Sequence, residues 1–182
     1  MAAVPGRPRD RLALLGWTCS ICGEYHEDDL LDIRMTLPEP VFRLSEPERG
    51  ERAELGDDWC RLREAEGAWR HYTRGILEIP IHESDRYFGY GVWVELAAPD
   101  FYRIGELWSD PAGAQVPAFS GELANELTPY TETEGLSAAI KLRDVNLLPT
   151  VHLGHADHAL VSDQRQGITL DRARTLAEAS LH

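Results

Sequence analysis

The residues of this chain best equipped for chemistry gather near its N-terminus, in the stretch WTCSICGEYH, Trp17 to His26. Cys19 and Cys22 have two residues between them, Gly23 follows the second, and His26 comes four residues after it. A C-x-x-C turn lets two thiolates reach one ion, and the backbone N–H groups after the first cysteine can hydrogen-bond the sulfurs. Gly23 fits the left-handed residue that such a turn needs. Zinc takes four sulfur or nitrogen ligands in a tetrahedron. Cys19 and Cys22 supply two, Cys60 is the obvious third, and the fourth is a histidine: His26 by proximity, or the distant His158. Such a Cys3His site is structural. Three other readings stay open. A metal that kept a position free for water would be catalytic, of hydrolase or lyase type, with Glu24 or Glu27 as general base and His158 assisting. A cysteine pair that cycled between dithiol and disulfide would make a redox sensor, although CSICGEYHED does not open a convincing helix that would lower a thiol pKa. Plain thiols, small and partly buried, are the bland alternative.

Two further constellations carry less. HLGHADH spaces His152, His155 and His158 by three, which on a continuous helix would stack them on one side. Gly154 and the strand-like TVHL before it argue against that helix, so separate surface histidines are the expectation. On the second strand of the central hairpin, Tyr87, Trp93 and Glu95 share a face with Gly89 and Gly91, a candidate shallow binding surface that close packing would explain equally well. No serine has a nucleophile-elbow context and no Gly-rich phosphate loop is present. The acidic pairs Asp28–Asp29 and Asp57–Asp58 read as solvated.

The elements that must position these residues show best in the middle of the chain. GILEIPI puts Leu77, Ile79 and Ile81 on one face, and YFGYGVWVEL puts Phe88, Tyr90, Val92, Val94 and Leu96 on one face at period two, both strand patterns. HESDR is their hairpin connection. Pro80 removes a ladder donor, so the first strand is expected at an edge or bulged there. PDFYRIGELW reads as a helix with Phe101, Ile104, Leu107 and Trp108 on one side and Pro99 at its start. Ser45 with Glu48 forms a capping box for a helix over EPERGERAEL, which Gly50 weakens. SAAIKLR and LPTVHLG read as strands, and PAFSGELANEL is ambiguous. Asp157 is the expected cap of a short helix ended by Gly167, and Thr169 that of a last helix with Leu170, Ala173, Leu176 and Ala177 inward. Strands followed by helices point to an α+β fold, a mainly antiparallel sheet with helices packed on it, plus the N-terminal C-x-x-C module. Residues 1–16 read as a flexible extension and 17–182 as one domain, with the module at 17–35 integrated into it.

The chain has 182 residues, 43% of them apolar, enough for a real core. No apolar run is long enough to span a bilayer and no secretory signal is recognisable, so a cytoplasmic protein without membrane association is expected. A net charge of −13 repels phosphate backbones, which argues against nucleic acid, and suits a basic protein partner. Three cysteines without a signal peptide argue against a disulfide framework.

The ordered strings TCSICGEYH, DDWC, TRGILEIPI, FGYGVWVEL, ELWSDP, FSGEL, TVHL and DHALVSDQRQGIT resemble the bacterial family catalogued as domain of unknown function 2199, over about residues 17–180. The family pattern falls on Cys19, Cys22, Gly23, His26, Cys60, Arg74, Gly75, Ile79, Pro80, Gly91, Trp93 and His158. Ala159 stands where the family usually has proline, and His152 and His155 lie outside the pattern. The resemblance implies no reaction. It sets Cys60 and His158 beside the clasp as the distant ligand candidates. The expectation taken forward is a zinc-binding protein with a protein-interaction role, ahead of the catalytic and redox readings.

Overall fold

The computed structural model describes residues 17–18, 21, 23, 25–26, 32–145 and 147–181, so the extension expected over 1–16 lies outside the described residues. The fold is α+β. A two-stranded antiparallel sheet joins β1 (Trp17–Thr18) to β2 (Tyr25–His26), with Trp17 opposite His26. Eight further strands form one sheet: β3 (Asp32–Arg34), β4 (Ala53–Leu55), β5 (Trp59–Arg63), β6 (Trp69–Pro80), β7 (Tyr87–Leu96), β8 (Phe119–Leu123), β9 (Ser137–Lys141) and β10 (Thr150–Leu153). The helices are α1 (Glu39–Phe42), α2 (Glu46–Arg52), α3 (Ala98–Leu107), α4 (Ala159–Gln166) and α5 (Leu170–Leu181). Among the described residues no helix is long and apolar enough to cross a membrane.

The hairpin β6–β7 forms as its alternation dictates. Leu77, Ile79, Phe88, Tyr90, Val92 and Val94 are buried on one face, and the Ile81 N–H closes the loop onto the Arg86 carbonyl at 3.0 Å. Pairing then runs β7–β8–β9–β10, all antiparallel, and β10 returns to β6 in parallel, Thr150 opposite Ile76 and Val151 opposite Leu77. Strands β6 to β10 therefore close into a five-stranded barrel with no open edge among them, while β3 and β4 end the sheet outside it. Leu123, Ile140 and Val151 join the buried cluster, together with Ile104 and Leu107 of α3, Leu160 of α4 and Leu176 of α5.

Strand β6 is not an edge strand. Its Pro80 is the last residue of the strand, beyond the reach of β10, so the missing N–H leaves no ladder acceptor unpaired, while its carbonyl accepts from the Ile168 N–H at 2.8 Å. Over its first half β6 pairs with β5 instead, Cys60 opposite Tyr72, and β4 extends that wing. The outer face of the wing carries a second core of Val41, Cys60, Leu62, Tyr72, Trp93 and Ala124, covered by the chain around α1.

The Ser45–Glu48 box begins α2 as expected, with the Ser45 N–H donating to the Glu48 carboxylate at 3.0 Å. The cap of α4 is His158 rather than Asp157: its Nδ1 accepts the Leu160 N–H at 3.1 Å, so the imidazole does the work assigned to a carboxylate. Thr169 caps α5, its Oγ1 accepting the Arg172 N–H at 3.2 Å.

One steric requirement is diagnostic of the β7–β8 pairing. A Cβ added at Gly121 would lie 2.2 Å from the Glu95 carbonyl oxygen and 2.7 Å from Val94 Cγ1, and a backbone atom in a ladder cannot step aside. The Gly121→Ala variant is expected to lose about 2–3 kcal/mol, at the upper end of what overpacking costs. Urea unfolding measures it, and a loss within about 0.5 kcal/mol of zero, the range of surface substitutions, would contradict the register.

Candidate functional site

Cys19 and Cys22, and the candidate bases Glu24 and Glu27, lie outside the described residues. What frames them is described: β1 and β2 form the two sides of the hairpin, His26 pairs through its backbone with Trp17, and Gly23 has φ +75°, the left-handed conformation expected after the second cysteine. Cys60 is fully buried in the second core, and burial pushes its thiol up to about 12. His158 is half-buried with both ring nitrogens engaged, Nδ1 with Leu160 and Nε2 with the Thr131 carbonyl at 2.8 Å. His152 and His155 are exposed. Among the described residues no group of three or more His, Cys, Asp or Glu side chains comes together to hold a metal.

The surface expected at Tyr87, Trp93 and Glu95 does not exist as a continuous face. Trp93 is 2% exposed, part of the second core, and its Nε1–H donates to the Met35 carbonyl at 3.1 Å. Glu95 is held by Arg70 through two bonds, 2.9 and 2.5 Å. Tyr87 lies at the far end of β7, its backbone opposite Pro80. The face is buried because the segment before α1 folds over it, a contact that strand alternation cannot announce.

The structure instead presents an open cleft of about 750 Å³ where the β4–β5 wing leaves the barrel and α3 passes over it. Trp59, Phe101, Tyr102 and Trp108 supply its aromatic lining. Trp59 is 42% and Tyr102 51% exposed. The turn between β4 and β5 is short, with the Gly56 N–H bonded to the Trp59 carbonyl at 2.9 Å, and the indole folds back across Gly56. A Cβ there would lie 2.2 Å from Trp59 Nε1, so only glycine lets the ring take this position. Phe101 and Tyr102 meet edge to face, their ring centroids 5.4 Å apart. A second cavity of about 390 Å³ borders the β6–β7 loop, where His82 Nε2 is already engaged by the Gln166 carbonyl.

The charges around the cleft are mostly matched. Arg61 pairs with Glu54, donates to the Tyr102 hydroxyl at 2.9 Å and lies over the Trp69 ring at 5.0 Å. Arg74 pairs with Asp58 at 3.3 Å and also donates to the Asp57 carbonyl at 3.2 Å. Burial lowers the Arg74 pKa and Asp58 works against that, while its Nε has no hydrogen-bond partner. Asp57 is exposed at the mouth. None of Trp59, Tyr102, Arg61 or Asp57 was singled out as a site residue from the sequence. The string GDDW, a turn followed by a large aromatic, is the signal that could have found Asp57 and Trp59; no local pattern marks Arg61 or Tyr102.

Beneath the aromatic wall, His71 lies 5.0 Å from the Phe101 ring and 5.5 Å from Tyr102, 5% exposed. Burial, reinforced by Arg61, lowers its pKa below the ordinary 6.5, against a smaller opposing effect from Glu95. The folded protein therefore holds His71 neutral where the unfolded chain binds a proton. That contribution is fully present above about pH 6.5 and is lost as pH falls through the lowered value. Replacing His71 with glutamine is expected to flatten the fall in stability between about pH 7 and pH 5, read as urea midpoints across that range. An unchanged slope would show that His71 is not the group that titrates.

No curated protein and no solved structure matches the chain. The family model described as "Uncharacterized protein conserved in bacteria (DUF2199)" matches residues 18–168. That span runs from β1 to just past the end of α4 and includes the barrel strands, the second core, the cleft and the main core apart from its α5 residues; the chain belongs to this bacterial family.

Proposed function

We propose that this protein is a binding module whose partner is another protein, engaged at the cleft between β5 and α3. The observation that carries the reading is the pair Trp59 and Tyr102, 42% and 51% exposed, lining one cleft of about 750 Å³. Large aromatics that share a concavity are the residues that dominate binding energy when a partner buries them. The volume lies in the range of small-molecule pockets, about 300–1,000 Å³, which leaves room for a side chain of the partner. Among the described lining residues the hydroxyls are those of Thr73, which is 2% exposed, of Ser109 and of Tyr102, and no histidine lines the cleft to activate them. The net charge of −13 favours a partner of basic character.

The double variant Trp59→Ala, Tyr102→Ala tests this. Both side chains project into the cleft and neither belongs to the buried cores, so the variant is expected to keep its circular dichroism spectrum. A partner retained by the native protein at low salt is expected to be lost from the variant. A partner held equally by both, or none held by either, would sink the proposal.

The same reading includes a structural zinc ion bound by Cys19, Cys22, His26 and Cys60, tying the N-terminal hairpin to β5. Its support is the frame: the β1–β2 register on either side of the C-x-x-C segment and the left-handed Gly23. A thiolate at Cys60 is opposed by burial, and a dication beside it is what would stabilise one there. Ligation by His158 would undo the α4 cap, which favours His26. Elemental mass spectrometry on untagged protein is expected to find about one zinc per chain, the count for a single four-ligand site, lost together with stability in Cys22→Ser and in Cys60→Ser. Zinc retained in Cys60→Ser with stability intact would remove Cys60 from the site. Protein free of metal would leave the cysteines as thiols.

A further inference from the structure

We propose that the cleft takes a cationic side chain, a lysine or arginine presented by the partner, between its aromatic rings and the Asp57 carboxylate. This deepens the reading of the cleft as a partner-binding surface and rests on it.

Three observations select this chemistry. The first is the wall itself. Trp59 and Tyr102 are exposed into the same cleft, and a ring face attracts a cation through its quadrupole. The protein already uses that attraction beside the cleft, where the Arg61 guanidinium lies 5.0 Å from the Trp69 ring centroid and bonds the Tyr102 hydroxyl at 2.9 Å. The second is the balance of charge. Arg61 is ion-paired with Glu54 and Asp58 with Arg74; among the described lining residues the exposed Asp57 has no ion pair of its own and only shares the more distant field of Arg74, and its charge is negative. An incoming ammonium or guanidinium completes that balance. A phosphate-bearing ligand meets Asp57 and the field of a chain carrying −13, so a nucleic acid is disfavoured. The third is preorganisation. The Trp59 ring is seated on Gly56, and Phe101 and Tyr102 brace each other and His71, so little side-chain freedom remains to be lost on binding. A neutral sugar could stack on the same rings but would leave Asp57 unmatched.

The test is a titration of the isotope-labelled full chain followed by two-dimensional NMR, reading the Trp59 and Trp108 indole N–H and the Gly105 and Ser109 amides. The probes are capped Gly-Lys-Gly, Gly-Arg-Gly and Gly-norleucine-Gly peptides and a neutral disaccharide. The lysine and arginine peptides are expected to shift the cleft signals saturably. The norleucine peptide, equal in length but uncharged, is expected to bind about tenfold more weakly. Asp57→Asn, its spectrum otherwise unchanged, is expected to weaken the cationic peptides by about three- to tenfold, as raised salt does, and to leave the norleucine peptide unaffected. Equal binding of the lysine and norleucine peptides would keep the cleft as a binding site and overturn its preference for a cation. Tighter binding of the disaccharide would reassign the cleft to saccharides. Cleft signals unmoved by every probe would overturn both this inference and the reading it rests on.

Discussion

Strands β6 and β7 pair without interruption from His71 opposite Leu96 to Pro80 opposite Tyr87, and both faces of that hairpin are buried along much of its length. Everything else is placed by this constraint. One face supplies Leu77, Ile79, Phe88, Val92 and Val94 to the barrel, and the other supplies Tyr72 and Trp93 to the second core. A slip of one residue in either strand would exchange its two faces. On β6 it would drive Arg74 and Glu78 toward the barrel interior, and on β7 it would do the same to Glu95. Burial of such groups without their partners costs several kcal/mol, about 2–7 even for a neutral polar group. The register is therefore held by packing on two sides.

The cleft follows from a mismatch of length. Strand β6 is 12 residues long and β10 meets it only at Ile76 and Leu77. Its first half must find another neighbour, and β5 with β4 provides one, projecting as a wing beyond the barrel. Helix α3 starts after a single residue beyond β7, with proline in its first turn, and crosses the face of that wing that carries Trp59 and Arg61. The opposite face, with Cys60 and Leu62, is closed by residues 35–44. Buried Asn125 anchors them, its Oδ1 accepting the Trp93 N–H and its Nδ2 donating to the Leu37 carbonyl, both at 2.8 Å. The ion pairs of the wing, Arg70–Glu95, Arg74–Asp58 and Arg61–Glu54, are partly exposed. Pairs of that kind contribute about 0–1 kcal/mol each, so their consequence is orientation: they fix which charges around the cleft are spent and which remains.

Much of this fold is legible in the chain because its signals are local. Period-two alternation marks both central strands, HESDR marks their turn, and the Ser45–Glu48 pair marks the start of α2. Trp93 shows where that legibility stops. Alternation separates two faces but does not say how many of them are covered, so a tryptophan on the face opposite the aliphatic residues reads as exposed until residues 35–44 are seen folded over it. Asp157 and His158 are adjacent candidates for one cap, and only the backbone geometry at the helix start chooses between them. Asp58 reads as solvated because its partner Arg74 is 16 positions away on another strand.

By itself the sequence determined the central hairpin β6–β7, the strands β9 and β10, most of the helices, the α+β class and the left-handed glycine after the C-x-x-C pair, since each depends on backbone preference and side-chain type within a few residues. It also determined the family, through motifs in fixed order. Only the tertiary structure decided that the sheet closes, that Cys60 lies in a second core, and that Trp59, Tyr102 and Asp57 share a cleft. Those outcomes depend on which distant segments bury one another's faces, as when β10 docks in parallel on β6 from more than seventy residues away. That choice is made by total burial and steric fit over the whole chain, and no local pattern encodes it.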